Sequence, residues 1–190
     1  MDAGLAAVLG ALAGAVATTG AALATGWSAR EQAKIAARAE HRRQRRDARQ
    51  VVYEEFISAA LAHENHAGRI FVAPVPEDAA GLDLVVRGCG YSNWDAISTE
   101  SHGHHINLLK FSTRVQLAGP KEITRAAMQV NEHSGRVMSS FLEIPAGLLG
   151  AEPLPDRFRK GLSRWLELED AISNFTEVAR LALDDDGTSR

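Results

Sequence analysis

Seven histidines stand in this 190-residue chain, and five fall into two groups whose spacing permits shared chemistry. His63 and His66 are three residues apart, which puts both rings on one face of a helix. His102, His104 and His105 crowd into four consecutive positions. Imidazole is the commonest protein ligand for transition metals, so the five rings together offer a place for zinc or a related ion. No cysteine or carboxylate stands at a recognised ligand spacing beside them, and neither HExxH nor CxxC occurs. The sequence therefore assigns no metal and no cofactor. The expected setting of these histidines is a solvated loop or a polar helix face.

Other reactive side chains are more sparsely set. Cys89, the one cysteine, lies between Gly88 and Gly90. It excludes an internal disulfide, and a lone thiol is more often idle than reactive. Glu54 with Glu55, and Glu167 with Glu169 and Asp170, are acidic clusters. Paired carboxylates can exchange protons, but on helices they normally form a solvated face. No glycine-rich loop follows a strand, so no nucleotide site is indicated. The reading is non-enzymatic, with no catalytic residue assigned.

The elements that must carry these residues begin with a sharp change in charge. Ala3 to Ala29 holds no charged side chain. Arg30 to Arg49 then holds eight basic residues against three acids, a net +5. As a helix the uncharged stretch spans roughly 40 Å, enough to cross a hydrocarbon core of ~30 Å. Trp27 falls at interface depth, and the basic residues beyond it hold that end in the cytoplasm. The expectation is a single-pass cell-membrane protein with its N-terminus outside and its body cytoplasmic. A cleaved signal peptide is the rival, because Ala22-Leu23-Ala24 matches the A-x-A pattern. Against it, the chain starts Met-Asp-Ala-Gly with no basic region, and the positive charge follows the apolar segment. Gly10 and Gly14 make a GxxxG pair, which an Ala/Gly-rich span also produces by composition.

Within the basic stretch, Arg38, Arg42, Arg43, Arg45, Arg46 and Arg49 are the candidates for contact with anionic lipid head groups. Residues 51–190 carry 13 basic and 20 acidic side chains, a net −7, which disfavours nucleic acid as a partner.

The remainder reads as helices. Ser28-Ala29-Arg30-Glu31 fits a capping box where a helix could start anew at the membrane surface. Val52, Phe56 and Ala59 begin an apolar stripe that Gly68 should end. Ile70-Phe71-Val72 suits a short strand by propensity, and Pro74 and Pro76 make the region an extended connector. Gly81 to Val86 fits a short helix or a strand. Amphipathic stripes follow over Trp94–Leu117, from Gly119-Pro120 to Leu142, and from about Asp156 to Leu183. The expected fold is all-α: a transmembrane anchor at 1–29, a basic juxtamembrane helix at 30–50, and a helical domain at 51–190. Four amphipathic helices with short connections imply an antiparallel bundle.

Two runs carry a family likeness. One is Arg45-Arg46, then Tyr53, Phe56-Ile57 and Ala59, after a glycine-rich span and a basic helix. The other is Val115-Gln116-Leu117-Ala118-Gly119-Pro120, then Glu122-Ile123 and Ala126-Ala127. The chain resembles uncharacterised actinobacterial membrane-anchored proteins with a helical cytosolic domain, some similar to Kil-type plasmid-spread proteins. The resemblance implies a tethered helical module and brings no active site with it. The leading expectation is a membrane-anchored bundle that binds a protein partner or a second copy of itself. The alternatives are a membrane-tethered metal-dependent enzyme or sensor using the histidines, and a secreted helical protein with a cleaved leader.

Overall fold

A computed structural model describes the backbone of residues 2–146 and 153–188, and the side chains of residues 25–145 and 153–184. Among these residues every regular element is an α-helix: α1 (Asp2–Phe71), α2 (Ala79–Gly88), α3 (Trp94–Ala118), α4 (Lys121–Ala146) and α5 (Leu154–Thr188). The chain divides into two units, residues 1–45 and 46–190.

The first unit is the N-terminal part of α1. All its described side chains, from Thr25 to Arg45, are exposed. Nothing there repeats with an apolar period, so no stripe exists to bury. Helix is maintained by Ala, Arg, Glu and Gln, strong formers, with i,i+3 and i,i+4 pairs such as Lys34–Glu31 and Gln44–Glu40. Among the described residues no helix is long and apolar enough to cross a membrane. The predicted anchor, residues 1–29, lies outside the described side chains as far as residue 24.

The second unit is a four-helix bundle with α2 as a short accessory. Buried residues of α1 recur as Tyr53, Phe56, Ala59, Ala60, His63, His66, Ala67, Ile70 and Phe71, the three-to-four spacing of one helix face. Cross-helix pairs fix the topology. Arg49 near the start of this face bonds Ala118 at the end of α3, while His63 bonds Ser101 near its beginning. Asn131 meets Ser112, and Phe141 meets Trp94, so α4 runs antiparallel to α3. Arg157 reaches Glu143 and Arg164 reaches Arg136, so α5 reverses again. Phe71 packs on Phe158 and Tyr53 on Phe175, which closes the ring of four antiparallel helices.

The core has aromatic ends and a polar middle. Phe71, Phe141, Phe158 and Trp94 fill one end, with ring centroids 5.1–5.8 Å apart. Tyr53, Phe56 and Phe175 fill the other. Between them lies a buried layer of His63, Ser101 and Ser134.

Three local expectations are corrected. No new helix starts at Ser28, because α1 runs through it; no proline interrupts, and Gly26 alone costs only about 1 kcal/mol. Gly68 does not stop α1 either. The Trp165 indole lies against it, and an added Cβ would stand 3.1 Å from the ring. Ile70 and Phe71 form the last turn of α1 instead of a strand, since both are fully buried there. Tertiary burial outweighs their β-propensity. The segment 81–86 is helical, inside α2.

Candidate functional site

Two histidine centres form between α1 and α3, one helical turn apart. The first is sealed. His63 Nδ1 lies 2.7 Å from Ser134 Oγ and its Nε2 lies 3.1 Å from Ser101 Oγ. His105 Nδ1 meets the same Ser134 hydroxyl at 2.8 Å. His63, Ser101 and Ser134 are all 0% exposed. Burial above all, then the like charges of His105, His66 and His104, push the His63 pKa down to about 3. His63 is therefore neutral near pH 7. Its two nitrogens pair with two buried hydroxyls, of which Ser134 also has His105 as a partner. Serine beside histidine can be a nucleophile with its base; here both side chains are buried away from solvent. This centre ties α1, α3 and α4 together.

The second centre is open on one side. His66 is buried on α1, while Glu100 and His104 stand one turn apart on α3 and reach solvent. His66 Nδ1 lies 3.5 Å from Glu100 Oε1, and His104 Nε2 lies 3.7 Å from that same oxygen. The three ligating atoms fall within 4.8 Å of one another. Tyr91 brings its hydroxyl to 3.2 Å from His66 Nδ1 and also lies against Glu100.

Local structure explains this placement. Asn93 caps α3 by accepting from the Ala96 N–H, which sets the helical phase of Glu100 and His104. Gly90 takes φ of 85°, a left-handed turn at the end of α2. Gly90 N–H then donates to the Arg87 carbonyl and Tyr91 N–H to the Val86 carbonyl, which aims Tyr91 back at α1. Arg69 spans the gap, donating to the Cys89 carbonyl at 2.8 Å with its guanidinium 5.9 Å from the Tyr91 ring.

The electrostatics are mutual. Burial lowers the His66 pKa, opposed by the Glu100 carboxylate and reinforced by His104. The Ile97 carbonyl favours the protonated ring, though Nε2 makes no well-formed hydrogen bond. Partial burial acts to raise the Glu100 pKa, but the Tyr91 hydroxyl, His66 and His104 together hold it below the usual range. Burial and then the Glu100 carboxylate raise the Tyr91 phenol.

The five predicted histidines therefore divide. His63 and His105 join the sealed centre, His66 and His104 the open one. His102 is exposed and reaches the cluster only as a like charge on His105. The sequence reading missed Glu100, yet the signal was there: Glu100 precedes His104 by four residues on a predicted helix, one turn away on the same face. Tyr91 had no such signal, because only the Gly90 turn brings it in.

The remaining candidates are engaged in the fold. The Cys89 thiol donates to the Arg69 carbonyl, and burial raises its pKa against the pull of Arg69, the reverse of an activated thiolate. Glu55 pairs with Arg114, and Glu167 bridges His133 and Arg136. Glu54 accepts from Gln50 on the surface, and Glu169 and Asp170 are exposed. Among the arginines, Arg38, Arg42, Arg43 and Arg45 are exposed. Arg46 is exposed and lies 3.9 Å from Asp184. Arg49 is half-buried, and its Nε donates to the Ala118 carbonyl at 2.9 Å, so it caps the end of α3.

No protein-family model, curated protein or solved structure matches the chain.

Proposed function

We propose that the protein is a single-pass membrane protein whose helical bundle works at the cytoplasmic face by binding a protein partner or a second copy, and not by catalysis. The observation that carries this reading is the seam in α1. One helix, Asp2–Phe71, takes in an uncharged stretch of membrane-spanning length, a run of net +5, and a face of core residues. The run of positive charge sets the cytoplasmic side. Arg38, Arg42, Arg43 and Arg45 are exposed, which supports contact with anionic head groups, each worth about 1 kcal/mol near a membrane.

Carbonate extraction tests the tether. The full chain should stay with the membrane pellet, and a chain lacking residues 1–29 should be released. The mass of the mature N-terminus separates the secreted alternative, since cleavage after Ala24 would remove most of the uncharged stretch. Recovery of the full chain in the carbonate supernatant would refute the reading.

A further inference from the structure

We propose that His66 Nδ1, Glu100 Oε1 and His104 Nε2 bind one divalent first-row transition-metal ion of the zinc type, at a position left open to water on the solvent side. The site is distinct from the membrane reading and does not depend on it. Its three donors come from two helices. Glu100 and His104 share a face of α3 at spacing four, and His66 faces them from α1. Ligands around a zinc ion at ~2.0–2.1 Å stand roughly 3–3.5 Å from each other. The Glu100 oxygen already lies 3.5 Å from one ring nitrogen and 3.7 Å from the other. The largest separation within the trio is no more than 4.8 Å, so side-chain rotation at the two solvent-reaching residues completes the closure.

The donor types decide the ion. Two imidazoles and one carboxylate suit zinc and its neighbours, whereas calcium and magnesium require sets of oxygens. Three protein ligands leave a fourth position for water or a bound anion, the arrangement of an open site and not of a closed structural one. Glu100 and His104 have side chains 46% and 29% exposed, so an ion can enter from that side. The support around the ligands is also in place. His66 is held in the core, its ring 5.7 Å from Phe141. Such outer contacts orient metal ligands and commonly affect affinity 10–100-fold. The Tyr91 hydroxyl, set by the Gly90 turn, lies 3.2 Å from His66 Nδ1 and has to leave that nitrogen when an ion takes it.

The test uses the full chain in detergent, stripped with a chelator and titrated with zinc in competition with a chromogenic chelator. One zinc per chain should bind. Glu100→Gln and His104→Ala should each weaken binding at least tenfold. Both change solvent-reaching side chains, and thermal melting confirms that each variant folds. His102→Ala should bind as the parent does, and millimolar calcium or magnesium should not compete. Cobalt(II) in place of zinc should give visible absorption that His104→Ala removes, independently of any affinity measurement. Failure to retain zinc would overturn the site. So would equal retention by Glu100→Gln and His104→Ala, which would place the ion on other histidines.

Discussion

The two parts of helix α1 are built in different ways. From Thr25 to Arg45 every side chain is exposed and charge dominates. From Tyr53 to Phe71 nine side chains are buried on one face. Helical propensity is similar in both stretches, so propensity does not distinguish them. What differs is the apolar period. Without it the helix has no face to bury and interacts through charge alone. With it the helix becomes one wall of a core. A helix of the first kind depends on its surroundings, and one of the second kind supplies its own.

Truncation of a core side chain should break this contrast most sharply. Phe56 is fully buried against Phe175, with ring centroids 4.6 Å apart. Phe56→Ala should cost about 3–5 kcal/mol, read as a fall in the urea midpoint. Ile35, 59% exposed on the charged stretch, should tolerate the same change within about 0.5 kcal/mol. Equal effects at the two positions would erase the distinction.

Acid should follow in size. The folded His63 pKa is about 3, below the unfolded value of 6.5, so the unfolded chain takes up a proton that the folded chain refuses. Stability is full above pH 6.5 and is lost as pH falls toward 3, by about 3 kcal/mol between pH 7 and 4 from His63 alone. His66 and His105, also lowered by burial, add with the same sign. His63→Gln, which keeps an amide between the two serine hydroxyls, should remove most of the slope. An unchanged pH profile in that variant would mean His63 is not the sealed group described here.

A smaller effect is expected where helices touch most closely. A Cβ at Gly161 of α5 would overlap the buried Phe71 ring. Gly161→Ala should destabilise by roughly 1–3 kcal/mol even though alanine is the better helix former. A gain in melting temperature would show that the α1–α5 contact is looser than described.

The smallest effect on stability should come from the charged stretch. Replacing Arg38, Arg42, Arg43 and Arg45 with glutamine should leave the melting temperature of the bundle unchanged, since all four are exposed. It should weaken association with anionic vesicles, in a salt-dependent way, and leave zwitterionic vesicles unaffected. Arg49→Gln should do the reverse, lowering stability by about 1 kcal/mol through loss of the bond to Ala118.

Much of the bundle was legible because its stripes have a helical period. Val52, Phe56 and Ala59 announced the core face of α1, and Gly119-Pro120 marked the α3–α4 junction within a residue or two. The ends were less legible. Gly68 reads as a terminator locally, but the Trp165 ring across the bundle makes it a packing position. Trp165, within the stretch from Asp156 to Leu183 that reads as amphipathic, is half-buried, and its Nε1 donates to Glu64. The site was legible in parts. His63 and His66 share a face, as their spacing requires, yet one is sealed and the other opens toward Glu100. That division depends on which α3 residue lies opposite, and no local spacing on α1 contains it.

Protease protection decides whether α1 tethers the bundle at the cytoplasmic face, as proposed. Intact spheroplasts and inverted membrane vesicles bearing the full chain would be treated with protease and probed for residues 46–190. The bundle should be protected in spheroplasts and digested in inverted vesicles, with a short N-terminal fragment left in the membrane. Protection in the inverted vesicles, or a chain that never sediments with membrane, would contradict it.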